Sequence, residues 1–277
     1  MFPVQKALWF IESHFNDDLT LDDVAECGGV SRFYMSRVFV LVTGRSVSAY
    51  VRGRRLTEAA RALADGAPDI LQVALNAGYG SHEAFTRAFR DLFGMTPEQI
   101  RAEGGLDRIK LLEPLRMEQN HLAKLEQPRF ETLKEMLVAG LSERCHMESG
   151  ATIPALWQRF NQYYGHVPGQ VGDVAYGVCH NSDDAGHFDY MAGVEVRDFS
   201  DPPPDFARVR IPARKYAVFA HRGHVSTIRQ TMTAIWTKWL PESGHDVADA
   251  PMFERYDSKF DPHTGEGGFE IWLPIKS

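Results

Sequence analysis

Apolar and polar positions change rhythm along the chain: helical spacing fills roughly the first hundred residues, and period-two runs dominate after residue 129. The helical part is also repeated. Val24-Ala25 through Ser31 recurs as Val73-Ala74 through Ser81 with one extra residue in the second turn, and Arg37, Phe39 and Gly44 then match Arg87, Phe89 and Gly94 without gaps. Each copy predicts a helix, a tight turn and a second helix. In the first, Thr20 and Asp23 form a capping-box pattern, Leu21, Val24 and Ala25 share an apolar face, Gly28-Gly29 break the helix and Ser31 caps the next. In the second, Asp69 is the N-cap, Val73 and Ala74 face inward, Gly78 makes the turn and Ser81 opens the second helix.

The second helix of each copy divides into two stripes. Met35, Val38 and Phe39, like Phe85, Ala88 and Phe89, stand at helical spacing and predict a core face. The opposite stripe carries Arg32, Phe33, Ser36 and Arg37 in one copy and His82, Glu83, Thr86 and Arg87 in the other. Arginine forks onto guanine, small hydroxyls pair with either base and an apolar group meets the thymine methyl, so this stripe suits the DNA major groove. Two such helices held together can enter successive major grooves roughly 34 Å apart without a dimer, which predicts a monomer bound to double-stranded DNA. Residues 31–61 hold seven arginines against Glu58 alone, and residues 81–101 are balanced, so the first unit is expected to dominate affinity.

Beyond a looser stretch punctuated by Gly104-Gly105, Pro114 and Pro128, residues 171–179, 190–196, 208–211, 217–221 and 269–275 read as strands, with helical segments at 153–164 and 225–240. The order strand, helix, strand, strand, given twice, predicts an α+β domain of two similar halves with helices on one face and a cleft on the other. Period-two reading points Phe269, Ile271 and Leu273 one way and Glu270 and Trp272 the other, and sets Glu195 opposite Val194 and Val196. Carboxylates beside Trp and Tyr, with Glu254 near Tyr256, suit a lipophilic cation held by charge and cation–π attraction.

At 277 residues, 44% hydrophobic and 24% charged, the chain has room for two or three domains. It has no run of about 18 apolar residues and no export signal at its start, which predicts a cytoplasmic protein with no membrane span. A net charge of −7 argues against coating nucleic acid by charge alone. Cys27, Cys145 and Cys179 lack metal or disulfide spacing, and His180, His187, His221 and His224 are dispersed, so no metal and no cofactor are expected.

On the stretches 31–39, Arg54-Arg55-Leu56 with Ala59-Ala60, 77–89 and Phe93-Gly94-Met95-Thr96-Pro97, residues 4–103 resemble the DNA-binding domain of the AraC/XylS family of transcription regulators. That resemblance implies a long helix over Val47 to Ala64 joining the two helix-turn-helix units, contacts to RNA polymerase, and activation more than repression. Val40 and Glu83 depart from common residues of the family, so operator preference does not carry over. On Gly140-Leu141, 153–157, Gly177-Val178, 193–196, 253–256 and 269–275, residues 129–277 resemble the GyrI-like effector-binding domain, found in MerR-type multidrug sensors and behind AraC-type readers. This implies a ligand role for Glu254 and Glu270, with Trp272, Tyr256, Glu195 and Trp157 as further candidates. The expectation is therefore an all-α DNA-binding domain over 1–104, a linker over 105–128 and a GyrI-like effector domain over 129–277, in a regulator and not an enzyme. The alternatives are a small-molecule hydrolase, with Glu254 or Glu270 activating water, and a module that inhibits a protein partner.

Overall fold

The computed structural model describes residues 3–115, 125–147 and 152–276. The chain divides into two compact units, a helical one of residues 1–35 and 45–119 and a strand-rich one of residues 120–277 with which residues 36–44 are grouped.

The helices of the first hundred residues are α1 (Pro3–His14), α2 (Leu21–Gly28), α3 (Arg32–Thr43), α4 (Val47–Ala64), α5 (Ile70–Asn76), α6 (His82–Phe93) and α7 (Pro97–Glu103). Their ends lie where local chemistry places them. The Asp23 N–H donates to Thr20 Oγ1 at 3.2 Å while the Thr20 N–H donates to Asp23 Oδ2 at 2.8 Å, closing the capping box. Gly29 ends α2 in the left-handed region at φ 69°. Gly78 takes φ +82°, a conformation that L side chains rarely adopt, so the turn favours glycine. Phe85, Phe89 and Phe93 form the buried face of α6 and share one cluster with Leu56, Ala60 and Leu63 of α4, Val73 and Ala74 of α5 and Ile100 of α7. α4 is the long connector implied by the resemblance.

Residues 105–115, expected as linker, instead run along α4; residues 116–124 of that expected linker lie outside the described residues. Leu106, Ile109 and Leu111 pack on the α4–α7 cluster. The Leu112 N–H donates to Thr57 Oγ1 at 3.0 Å, and the Leu112 carbonyl accepts from Arg54 Nη1 at 2.9 Å. At Gly53 a Cβ would meet Leu112 Cδ2 at 2.5 Å, so α4 has a notch for this strap. Beneath it, Arg54 is only 4% exposed and directs Nε at both oxygens of Glu12, 3.0 and 3.1 Å away. The Tyr50 hydroxyl donates to Glu12 at 2.6 Å and accepts the Leu115 N–H at 3.0 Å.

In the second unit the strands are β1 (Arg129–Leu133), β2 (Met136–His146), β3 (Gln170–His180), β4 (His187–Val196), β5 (Ala207–Ile211), β6 (Arg214–His221), β7 (Met252–Tyr256) and β8 (Phe269–Pro274). They form one sheet in the order β1-β6-β8-β7-β3-β4-β2-β5, with antiparallel pairing throughout. The duplication is β2-α8-β3-β4 and β6-α9-β7-β8, where α8 is Ile153–Asn161 and α9 is Ile228–Ala234, continued by a π-turn over Ile235–Trp239 and α10 (Leu240–Ser243). The halves join where β3 meets β7, and β1 and β5 serve as edges. Strands β1 and β2 were not read from the sequence; Gly140 interrupts the apolar run of β2, where a Cβ would lie 2.1 Å from the Ala192 carbonyl oxygen.

Helices cover one face: the Trp157 indole of α8 reaches Tyr190 of β4, and Trp239 packs edge-on against Phe219 of β6. On the other face, Val209 and Ile211 from the β5 edge share a cluster with Val178, Phe253 and Trp272 of the middle strands and with Tyr216 and Val218 of β6. The cluster continues through Met136 and Val138 of β2, Met191 of β4 and Tyr176 of β3, so it covers this face from strand to strand, and the unit is a half-barrel with this as its inner face.

Candidate functional site

The two predicted reading stripes sit on α3 and α6, each twelve residues long and opened by a serine whose hydroxyl accepts from the backbone N–H three positions on, Tyr34 for Ser31 and Ala84 for Ser81. Glu83 and Arg87 of α6 are exposed, His82 lies 3.0 Å from Glu98 of α7, and the Thr86 hydroxyl oxygen is buried. The Glu83 backbone N–H in the first turn of α6 and then the Ser81 hydroxyl hold the Glu83 carboxyl below its ordinary range, so Glu83 keeps a negative charge on this stripe. On α3, Arg32 is exposed and pairs with Asp22, Phe33 and Ser36 are half-buried, and Arg37 is buried, unlike its counterpart Arg87.

The arginine surplus of residues 31–61 is smaller at the surface than the sequence suggests. Arg54 serves Glu12, Arg55 Nη2 donates to the Asp17 carbonyl at 2.6 Å, and Arg61 pairs with Glu58 and Glu113 at 2.5 and 2.6 Å. These three tie α4 to its surroundings, whereas Arg52 remains exposed.

In the strand-rich unit the six candidate ligand residues separate onto the two faces of the sheet. Register decides this: Glu254 pairs with Ile271 and Arg255 with Glu270, so Glu254 shares a face with Phe269, Ile271 and Leu273, and Glu270 with Trp272. Glu254, Tyr256 and Trp157 lie on the helix side, and Glu270, Trp272 and Glu195 on the inner face.

On the helix side, Glu254 Oε2 accepts from the hydroxyls of Tyr190 at 2.6 Å and Tyr256 at 2.8 Å. Trp157 Nε1–H donates to the Tyr190 oxygen at 3.0 Å, and the Trp157 ring meets Tyr256 edge-on at 5.2 Å. Tyr190 reaches Glu254 by crossing Gly177, where a Cβ would lie 2.2 Å from the Tyr190 hydroxyl and 2.5 Å from the carboxylate. Glu254 keeps part of its surface open although protein surrounds it closely, as for a group at the floor of a recess. Loss of water raises its affinity for a proton above the usual carboxylate range, against the pull of the two hydroxyls. Among the described residues no Lys, Arg or His pairs with it. The sequence reading gave Tyr190 and Gly177 no role at Glu254, because that role arises only from pairing between three strands.

On the inner face, Trp272 Nε1–H donates to Glu270 Oε2 at 3.0 Å and its ring stacks on Phe253 at 5.2 Å. Glu270 is flanked by Arg129 at 2.8 Å and Arg255 at 3.6 Å. Tyr176 stands opposite Arg255 in the β3–β7 pairing, and burial raises the proton affinity of both the Tyr176 hydroxyl and the Glu195 carboxyl. Arg129, Arg255 and Tyr176 were not singled out from the sequence.

His221 is held by Thr231 at 2.8 Å and the His224 carbonyl at 3.1 Å, and His187 stands beside Asp183 at 3.2 Å. Among the described residues no group of three or more potential ligands gathers for a metal, and no helix is long and apolar enough to cross a membrane.

Two helix-turn-helix units joined by a long helix, followed in the chain by a half-barrel with recessed carboxylates and aromatic rings, define a DNA-binding regulator with a small-molecule domain. The chain belongs to the GyrI-like family: residues 126–276 match the GyrI-like small molecule binding domain, and residues 24–103 match a helix-turn-helix domain of the AraC type. The transcriptional regulator Rob of Salmonella typhimurium is 26% identical over 99% of this chain and 98% of its own. The transcriptional regulator BrlR of Pseudomonas aeruginosa is 32% identical, with 61% of each chain covered. Among solved structures, SAV2435 bound to tetraphenylphosphonium is similar at a TM-score of 0.47 and 23% identity, over 55% of this chain and 95% of its own.

Proposed function

We propose that the protein is a one-component cytoplasmic regulator that binds DNA as a monomer, activates transcription through RNA polymerase, and responds to a lipophilic cation in its C-terminal domain. Arg32, Phe33, Ser36 and Arg37 of α3 and His82, Glu83, Thr86 and Arg87 of α6 are the reading residues of this proposal, of which Arg32, Glu83 and Arg87 are exposed and Arg37 is buried. A ligand shifts output only through unequal affinity for two states of the protein. Residues 1–104 carry the DNA-reading function and residues 129–277 the effector function, and the protein needs no catalytic step.

The observation that carries the ligand class is Glu254: a recessed carboxylate lined by Trp157, Tyr190 and Tyr256, supplied with hydroxyl donors but with no cation. A charge in such surroundings gains more from an incoming cation than it would in water, and the rings add cation–π attraction of ~1–2 kcal/mol when desolvated. The test titrates tetraphenylphosphonium into the full-length protein, followed by tryptophan fluorescence and calorimetry, beside Glu254→Gln. Saturable binding that the substitution weakens at least tenfold, with DNA binding intact, is expected. Equal affinity in both proteins removes Glu254 from the site. For the reader, Arg87→Ala is expected to lower promoter response and gel-shift affinity; an unchanged response removes the α6 stripe.

A further inference from the structure

The ring and carboxylate on the inner face already hold a cation, supplied by the protein itself. Arg129, Val218, Trp272 and Phe253 stand in one cross-strand row through β1, β6, β8 and β7, so all four side chains project from the same face. Arg129 sits two strands from Trp272, and its long side chain crosses Val218 to place Cζ 5.8 Å from the indole centroid. Its Nη2 is 2.8 Å from Glu270 Oε1, and Glu270 Oε2 accepts the Trp272 N–H. Phe253 stacks on Trp272, so a phenyl ring, a carboxylate and a guanidinium are gathered around one indole.

Arg255 approaches the same carboxylate from β7 and is shared with Asp257 at 3.5 Å, as Arg129 is shared with Glu131 at 3.1 Å, but among the described residues it is Arg129 whose guanidinium stands over the indole. Arg129 differs in place as well. It opens an edge strand of five residues that pairs only with β6, at the point where the chain enters the sensor unit. Its side chain is 47% exposed, so it can leave the ring without breaking into a core.

We propose that Arg129 is a built-in stand-in for the cationic effector, so that an aromatic cation reaches Trp272 and Glu270 only by displacing its guanidinium. This rests on the cationic-ligand reading above and adds a second, self-occupied position on the opposite face from Glu254. Arg129 thereby sets a threshold: weakly binding cations fail to displace it, and a cation that succeeds frees the first residue of β1.

The test titrates ethidium into the full-length protein by fluorescence anisotropy, with the neutral dye Nile red as control. Arg129→Gln is expected to bind ethidium about tenfold tighter than the unsubstituted protein, the combined scale of a cation–π contact and a solvent-exposed ion pair. Nile red affinity should change less than twofold, and adding Glu270→Gln to Arg129→Gln should abolish the gain. Arg129→Lys, which keeps the charge and loses the planar fork, should fall between. Ethidium binding that is equal or weaker in Arg129→Gln overturns the stand-in and leaves the cationic-effector reading standing. No ethidium binding to any of the folded proteins overturns both.

Discussion

Two half-buried carboxylates, one in each unit, take a tyrosine hydroxyl at the same 2.6 Å distance and otherwise differ. Glu12 in the helical unit is also gripped by Arg54, so its charge is neutralised where it stands. Glu254 in the sensor has a second hydroxyl from Tyr256 in place of a cation. Hydroxyl dipoles lower the cost of a desolvated negative charge without cancelling it. The first arrangement is closed and fastens α1, α4 and the 105–115 strap together. The second is electrically unfinished, which is what a site for a cation requires. Glu270 lies between the extremes, in an alternating row of Glu131, Arg129, Glu270, Arg255 and Asp257 that the protein has balanced for itself.

Breaking the closed pair should do the most damage. Glu12→Ala leaves Arg54 almost wholly buried without its main counter-charge and takes an acceptor from Tyr50, so the helical unit should lose about 3 kcal/mol. Urea unfolding followed by circular dichroism reads this, and a loss under about 1 kcal/mol would mean that Glu58 and the Leu112 carbonyl suffice for Arg54. Gly177→Val comes next. Its Cβ would overlap the Tyr190 hydroxyl and Glu254 together, so one of them must leave, at about 2 kcal/mol from the sensor unit. Loss of cation binding should accompany it, whereas DNA affinity of the unliganded protein should not change.

Tyr256→Phe is milder, about 1 kcal/mol, because Tyr190 still donates to Glu254. Since the lost hydroxyl helped to hold the Glu254 carboxyl down, its proton affinity should rise further. A cation would then have to expel a proton over a wider span of pH, so binding at a given pH should weaken and regain strength as pH rises. A pH-independent loss of affinity would assign Tyr256 to packing alone.

The parts of this comparison legible in the sequence were those set by neighbours a few residues apart. The capping box of Thr20, the turn at Gly78 and the two stripes of α6 follow from local spacing, and the split of Glu270 and Trp272 from Phe269, Ile271 and Leu273 is the strand period itself. What escaped depends on partners far along the chain. Arg54 reads as one of the seven arginines that make residues 31–61 basic, but its partner is Glu12, 42 positions earlier. Glu254 and Glu270 read as members of one cleft because nothing local reports that Glu254 pairs with Ile271 and so faces the other way. The 105–115 strap reads as a linker from its glycines and Pro114, while the notch that receives it is Gly53 on another helix.

The smallest effect, and the one that separates the two carboxylates most cleanly, is the pH dependence of Glu254→Gln. Glutamine keeps the volume and an acceptor for both hydroxyls, so little packing is lost. In the unsubstituted protein the folded state holds a proton on Glu254 more tightly than the ordinary value of 4.5 allows. Below pH 4.5 both folded and unfolded chains are protonated there, and the group adds nothing to the pH dependence. As pH rises above 4.5 the unfolded chain gives up its proton first, so stability declines until the folded carboxyl also ionises, and then levels off. Glu254→Gln removes this decline, and its thermal midpoint should match that of the parent near pH 4 and exceed it at pH 7. Cation affinity of the parent should climb through the same window, because the cation selects the ionised form. If the two midpoints run parallel from pH 4 to pH 8, Glu254 carries an ordinary solvated charge and the contrast with Glu12 disappears.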